Sequence, residues 1–122
     1  MLGTLWALKL ASTHHTKPFN FVSSTSVLDT EYYVNLSDSN VEMGNRGILE
    51  SDDLEGSRTG LRSGYGQSKW VTEKLIMEAN NRGMPTTIIR PGYIVGHSKT
   101  GGVFNYKKFY SLNLFIVSTN YS

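Results

Sequence analysis

Tyr65 and Lys69 are the residues of this 122-residue chain whose types and spacing most directly suggest chemistry. Lying four positions apart, they fall on one face of a helix, a single turn from each other. A phenol, with a reference pKa of about 10, is a poor acid at neutral pH, whereas a neighbouring ammonium favours the phenolate and brings the proton within use. Proton donation to an oxygen that gains charge is the chemistry such a pair could do. An exposed helical surface can present the same pair, so its surroundings decide. Three of them agree with a site: the hydroxyl run Ser23-Ser24-Thr25-Ser26, Ser68 directly before the lysine, and Pro91-Gly92 after a β-branched run. Taken singly, the hydroxyls read as turn chemistry at a strand end and Pro91 as a strand terminator.

The elements that must position these residues are legible as periodicities. From Leu2 to about Ser12 apolar residues recur at helical spacing through Leu5, Leu8 and Ala11, with Trp6 and Leu10 widening the stripe. Trp6 and Trp70 read as packing residues. After Pro18, Phe19 to Val22 read as a buried strand running into the hydroxyl turn. From about Asp29 to Gly64 periodicity fails, which predicts a long irregular loop with apolar islands at Tyr32-Tyr33-Val34 and Ile48-Leu49. A second helix is expected from Ser63-Gly64 to Arg82-Gly83, with Val71, Leu75, Ile76 and Ala79 on its apolar side. Thr86 to Arg90 then reads as a second buried strand. Strands alternating with helices imply a parallel, doubly wound α/β sheet, in which chemistry sits beyond the carboxyl ends of the strands.

Composition bounds the function. Hydrophobic residues make up 39% and charged residues 18%, ordinary for a folding globular chain and a single core. Twelve Lys plus Arg against ten Asp plus Glu leave a net charge of +2, too little and too scattered for nucleic-acid binding. No apolar run reaches the ~20 residues of a membrane span, and there is no cysteine for disulfide or thiolate chemistry. Glu50, Asp52 and Asp53 lack a supporting His and read as a solvated loop, so no metal site is expected. A cytoplasmic location is consistent with these features.

Ser24, Tyr65 and Lys69 together resemble the hydroxyl, phenol and lysine of the short-chain dehydrogenase/reductase arrangement. More narrowly, Phe21-Val-Ser-Ser-Thr-Ser-Val27, Gly64-Tyr-Gly-Gln-Ser-Lys-Trp-Val71 and Ile89-Arg-Pro-Gly-Tyr93 resemble the thioester-reductase domains of carboxylic acid reductases. The wording from Gly3 to about Gly101, including Val27-Leu-Asp29, Tyr32-Tyr-Val-Asn-Leu36 and Gly47-Ile-Leu-Glu50, is similar to the large subunits of the fungal L-2-aminoadipate reductases. The resemblance implies a partial Rossmann-like sheet of the extended short-chain type and a set of roles. Ser24, with Thr25 as the alternative, would hydrogen-bond the substrate carbonyl. Tyr65 would donate the proton. Lys69 would assist Tyr65 and bind the nicotinamide ribose, and Pro91 and Gly92 would present backbone to the nicotinamide. It also implies NADPH as cofactor, an aminoadipyl thioester on the phosphopantetheine arm of a carrier domain as substrate, and reduction to the semialdehyde in lysine biosynthesis. An epimerase or another short-chain reductase would share the three site residues, and the long loop argues against both.

Two departures qualify these expectations. The family's glycine-rich turn, which holds the cofactor pyrophosphate, has no counterpart: no Gly-x-Gly-x-x-Gly occurs. The chain is therefore expected to be a fragment without the amino-terminal βαβ unit, whose activity in isolation is in doubt, the alternative being a non-catalytic fragment. Residues 1–101 are expected to form the partial reductase domain. Residues 102–122, with no acidic residue and no clean period, read as a divergent tail of the kind a frameshift or intron read-through leaves.

Overall fold

The computed structural model describes residues 2–43, 47–92 and 118–120. Helix α1 (Leu2–Ser12) precedes strand β1 (Phe19–Val22), and helix α2 (Glu31–Glu42) follows. Next come helix α3 (Gly64–Asn81), strand β2 (Thr86–Ile89) and strand β3 (Ser118–Asn120). Two short 3-10 turns, Thr25–Leu28 and Glu55–Ser57, flank α2.

β1 and β2 are parallel, with Phe19 opposite Thr86 and Val22 opposite Ile89. β3 pairs antiparallel with the other edge of β2. Antiparallel pairing there was not legible in a segment without a period. Along β1 and β2 the side chains alternate between the two faces. Phe19, Phe21, Thr86 and Ile88 share the face on which Leu8 and Ala11 of α1 and Ile76 of α3 close the core, together with Met84. A partial Rossmann-type α/β unit results, a parallel strand pair joined through α3.

Local chemistry sets the ends of α3. Ser63 caps it, its Oγ accepting the Gly66 amide at 3.0 Å. At the other end Gly83 takes a left-handed φ of 91°, and its amide and that of Met84 return to the carbonyls of Asn80 and Ala79. The buried line of α3 differs from the expected apolar side. Gly66, Thr72, Glu73 and Ile76 are buried, while Val71, Leu75 and Ala79 are only partly covered. The reason is a charge: Glu73 points inward because Arg90 at the end of β2 meets it. Trp6, expected to pack, is 67% exposed, with the Lys9 ammonium 5.3 Å from its ring centroid. α1 buries only Leu8 and Ala11.

The expected long loop is corrected more substantially, because α2 lies inside it. Its inward residues are Tyr33, Leu36, Ser37 and Asn40, a helical stripe half of which is polar. Asn40 donates to the Gly47 carbonyl at 3.1 Å, and Tyr33 is buried with Val27 and Leu54 in a second apolar cluster. Helical spacing is present, but hydrophobicity alone does not reveal it. Asp52 and Asp53 act as loop clamps: Asp52 accepts the Tyr33 hydroxyl and the Leu54 amide, and Asp53 accepts the Glu55 amide. The lobe is fastened to α3 by Trp70, whose indole N–H donates to the Leu54 carbonyl at 2.7 Å, and by Lys74, which donates to the Asp53 carbonyl at 2.9 Å. Among the described residues no helix is long and apolar enough to cross a membrane.

Candidate active site

Hydrogen bonding between the parallel strands does not stop where the strands do. Beyond β1 the Ser23 amide donates to the Ile89 carbonyl at 2.7 Å and the Thr25 amide to the Pro91 carbonyl at 3.3 Å. The hydroxyl turn and the Pro91-Gly92 bend are thereby drawn alongside each other at the carboxyl ends of the two strands. They line a common cleft of about 330 Å³ formed by Ser24, Thr25, Ser26, Leu28, Asp29 and Gly92. Ser24 caps the first 3-10 turn, its Oγ accepting the Ser26 amide at 3.1 Å and lying 3.1 Å from the Ser26 hydroxyl. Thr25, the alternative to Ser24, lines the same cleft. Both residues therefore line it.

α3 brings the other two residues. Lys69 is half-buried; its ammonium donates to the Val22 carbonyl at 2.9 Å and lies 4.7 Å from the Phe21 ring centroid. The same ammonium is 5.8 Å from the centroid of the Tyr65 ring, and Tyr65 is 55% exposed. Tyr65 can thus meet a ligand from solvent while Lys69 is held against the last residue of β1. An ammonium has three donors, so after the bond to Val22 two have no hydrogen-bond partner among the described residues.

The close approach of α3 to the hydroxyl turn depends on Gly66. A Cβ there would lie 3.0 Å from the Ser26 carbonyl oxygen and 3.1 Å from Ser63 Oγ. Any other residue at this position would push the start of the Tyr65 helix away from the turn that carries Ser24. The role of Gly66 was not read from the sequence, although a glycine directly after the tyrosine inside a helical pattern is a signal of close packing. Glu73 was also missed as a partner of Arg90. Its carboxylate and the Arg90 guanidinium are both buried, joined by contacts of 2.8 and 2.9 Å to one carboxylate oxygen and of 3.2 Å to the other. Tyr93, the last residue of the third motif, lies outside the described residues.

The residues present fit the nicotinamide end of a dinucleotide. The fit consists of ammonium donors on Lys69 without a second partner among the described residues, a glycine at the cleft wall, and the hydroxyl-bearing residues that line the same cleft. Ser23 Oγ, buried beside them, has no hydrogen-bond partner among the described residues. The fit does not extend to the pyrophosphate, since no Gly-x-Gly-x-x-Gly occurs in the sequence.

Parallel strands whose carboxyl ends gather a hydroxyl turn, a Tyr-x-x-x-Lys helix and a glycine bend place the chain in the Rossmann class of α/β folds. Comparison with known proteins makes this narrower. Residues 1–121 match the NAD-binding family described as male sterility protein, and the chain belongs to that family. It is 53% identical over 103 residues to L-2-aminoadipate reductase of Schizosaccharomyces pombe. To the Saccharomyces cerevisiae protein of the same name it is 54% identical over 101 residues. These alignments cover 84% and 83% of the chain but only 7% of each relative, so the chain spans a small part of their length. Among solved structures it resembles the terminal R domain from the myxalamid PKS-NRPS biosynthetic pathway. There the TM-score is 0.63 at 43% identity, over 81% of this chain and 22% of that one.

Proposed function

We propose that this chain supplies the active-site portion of an NADPH-dependent reductase that converts a carrier-bound aminoadipyl thioester to the semialdehyde in the cytoplasm. The observation that carries the reading is the continuation of the parallel ladder past β1 and β2, with Ser24 and Gly92 lining one cleft at the strand end where Lys69 of α3 donates to the Val22 carbonyl. Identity of more than half over most of the chain to two proteins named L-2-aminoadipate reductase supports the substrate. Residues 1–101 are the part of the chain that acts in this way, and residues 102–122 stand outside it.

A nicotinamide cofactor, when bound, would supply the hydride for the carbonyl carbon. Ser24 donates a hydrogen bond to the carbonyl oxygen, orienting the thioester and stabilising the charge that collects there. Tyr65 gives its phenolic proton to that oxygen, and the nearby Lys69 ammonium offsets the negative charge left on the phenolate. The resulting hemithioacetal expels the carrier thiol and leaves the aldehyde, so one hydride and one proton enter and one thiol departs. Lys69 also holds the ribose hydroxyls with its two remaining donors, and Pro91 and Gly92 present backbone to the nicotinamide amide. A phosphopantetheine arm delivers the thioester through the mouth of the cleft.

A replacement experiment tests this reading. The 103-residue stretch of the S. pombe protein that aligns with this chain is exchanged for the corresponding stretch from this chain, and NADPH oxidation with aminoadipyl thioester loaded on the carrier is followed. The chimera is expected to oxidise NADPH and release the semialdehyde. A folded chimera that oxidises none overturns the assignment.

A further inference from the structure

The face of α3 that carries Tyr65 and Lys69 continues at the same four-residue interval to Glu73. Glu73 is fully buried and Arg90 is 2% exposed. The guanidinium Nε and Nη2 both donate to Glu73 Oε2, at 2.9 and 2.8 Å, and Nε lies 3.2 Å from Oε1. Arg90 is the residue directly before Pro91-Gly92.

Resting on the reductase reading of the site, we propose that Glu73 and Arg90 are a positioning pair that sets the Tyr65-Lys69 face of α3 in register with the Pro91-Gly92 bend. A buried ion pair is a poor device for stability, because apolar side chains of similar size in its place are commonly neutral or stabilising. Ile76 and Ile88 show that apolar packing between α3 and β2 is already available. What the fork adds is direction. A planar guanidinium held by a carboxylate fixes both the rotation and the axial position of the helix against the strand, whereas apolar contacts allow small slides.

Placement makes this register matter for the site. α3 is set at its start by the close contact of Gly66 with the Ser26 carbonyl, and two turns later by Glu73 on Arg90. Tyr65 and Lys69 stand between these points or beside them. From Arg90 the coupling runs one residue on to Pro91, whose carbonyl accepts the Thr25 amide next to Ser24. One fork therefore governs the helix, the glycine bend and the hydroxyl turn together.

The test uses the full 122-residue chain, isotopically labelled, with NADPH as the probe. The double variant Glu73→Leu with Arg90→Met replaces the fork by apolar packing, and Arg90→Lys keeps the charge but removes the planar fork. Three quantities are read: thermal midpoint, hydrogen exchange of the Thr25 amide, and NADPH-induced shifts at Lys69 and Gly92. Folded double variants are expected to melt at or above the parent temperature while Thr25 exchanges about tenfold faster. NADPH-induced shifts at Lys69 and Gly92 are expected to saturate at about tenfold higher cofactor in the same variant. Arg90→Lys should loosen Thr25 in the same direction. A folded variant with unchanged Thr25 exchange overturns the proposal, and so does collapse of both variants, which assigns the pair to the fold alone. If the parent chain itself shows no NADPH-dependent shift, it is the cofactor reading that fails for this chain; Thr25 exchange still decides the positioning role.

Discussion

Replacing Gly66 by alanine sets helix propensity against close packing at one atom. Alanine is favoured over glycine inside a helix by about 1 kcal/mol. Against this, the new Cβ would stand 3.0 Å from the Ser26 carbonyl oxygen, where ordinary contacts begin at 3.4 Å, and 3.1 Å from the capping Ser63 Oγ. Relief requires the first 3-10 turn to retreat by a few tenths of an ångström, and overpacking of this kind typically costs about 1–3 kcal/mol. The difference is a net loss of about 0–2 kcal/mol. At roughly 4 °C per kcal/mol for a chain of this size, the midpoint should fall by about 0–8 °C. Gly64→Ala is the internal control, since a Cβ there meets nothing within 4 Å and should leave stability unchanged or raise it. The functional effect should exceed the thermal one, because the retreating oxygen belongs to the turn that carries Ser24. If a misplacement of ~1 Å can cost ~100-fold, a few tenths should cost about two- to fivefold in reductase turnover of the chimera. Calorimetry on the chain and NADPH oxidation by the chimera measure the two effects. A Gly66→Ala variant that gains the full propensity term and keeps its turnover would show that the contact with Ser26 does not constrain the site.

Ile76→Ala removes a fully buried side chain from the main core and should cost about 2–5 kcal/mol in urea denaturation. Trp70→Phe removes the indole donor from the Leu54 carbonyl, which keeps the Ser57 amide, and should destabilise by about 0.5–1.5 kcal/mol, seen as faster hydrogen exchange in the 52–57 segment. Burial, together with the hydrogen bond to Asp52 and its charge, pushes the Tyr33 phenol well above its ordinary range. The raised folded-state value means that this group's stabilisation is complete below about pH 10 and is lost as pH rises further, by up to about 1.4 kcal/mol per pH unit. Tyr33→Phe should therefore flatten the alkaline limb of the stability curve above pH ~10, and equal slopes in parent and variant would contradict the buried, neutral phenol.

What the sequence made legible was local. The Tyr65-Lys69 interval, the helix start after Ser63-Gly64, the Gly83 stop and the two short strands are encoded within a few residues each, and the structure has helix and strands where those signals lie. α2 was illegible because its inward stripe includes the polar Ser37 and Asn40, the latter hydrogen-bonded to the Gly47 carbonyl, so only Tyr33 and Leu36 carry the period. The orientation of α3 was misread because Glu73 looks like a solvent residue until Arg90, seventeen positions later, is known to face it. A pairing of that kind is set by the crossing of helix and strand, which no local pattern records. The one sequence signal was the repetition Tyr65, Lys69, Glu73 at fixed intervals along one face. The same limit applies to Gly66, whose neighbour across the contact, Ser26, lies forty residues away.

The central claim, that the Tyr65 phenol gives the proton in a nicotinamide-dependent reduction, is tested most directly by Tyr65→Phe beside Tyr32→Phe in the chimera. The two tyrosines are almost equally exposed, 55% and 56%, so the pair of variants controls for loss of a surface hydroxyl. Tyr65→Phe should lower kcat for thioester reduction by about 100-fold or more while the KM for NADPH stays within about threefold, and Tyr32→Phe should leave both unchanged. A Tyr65→Phe chimera that turns over at the parent rate would contradict the account.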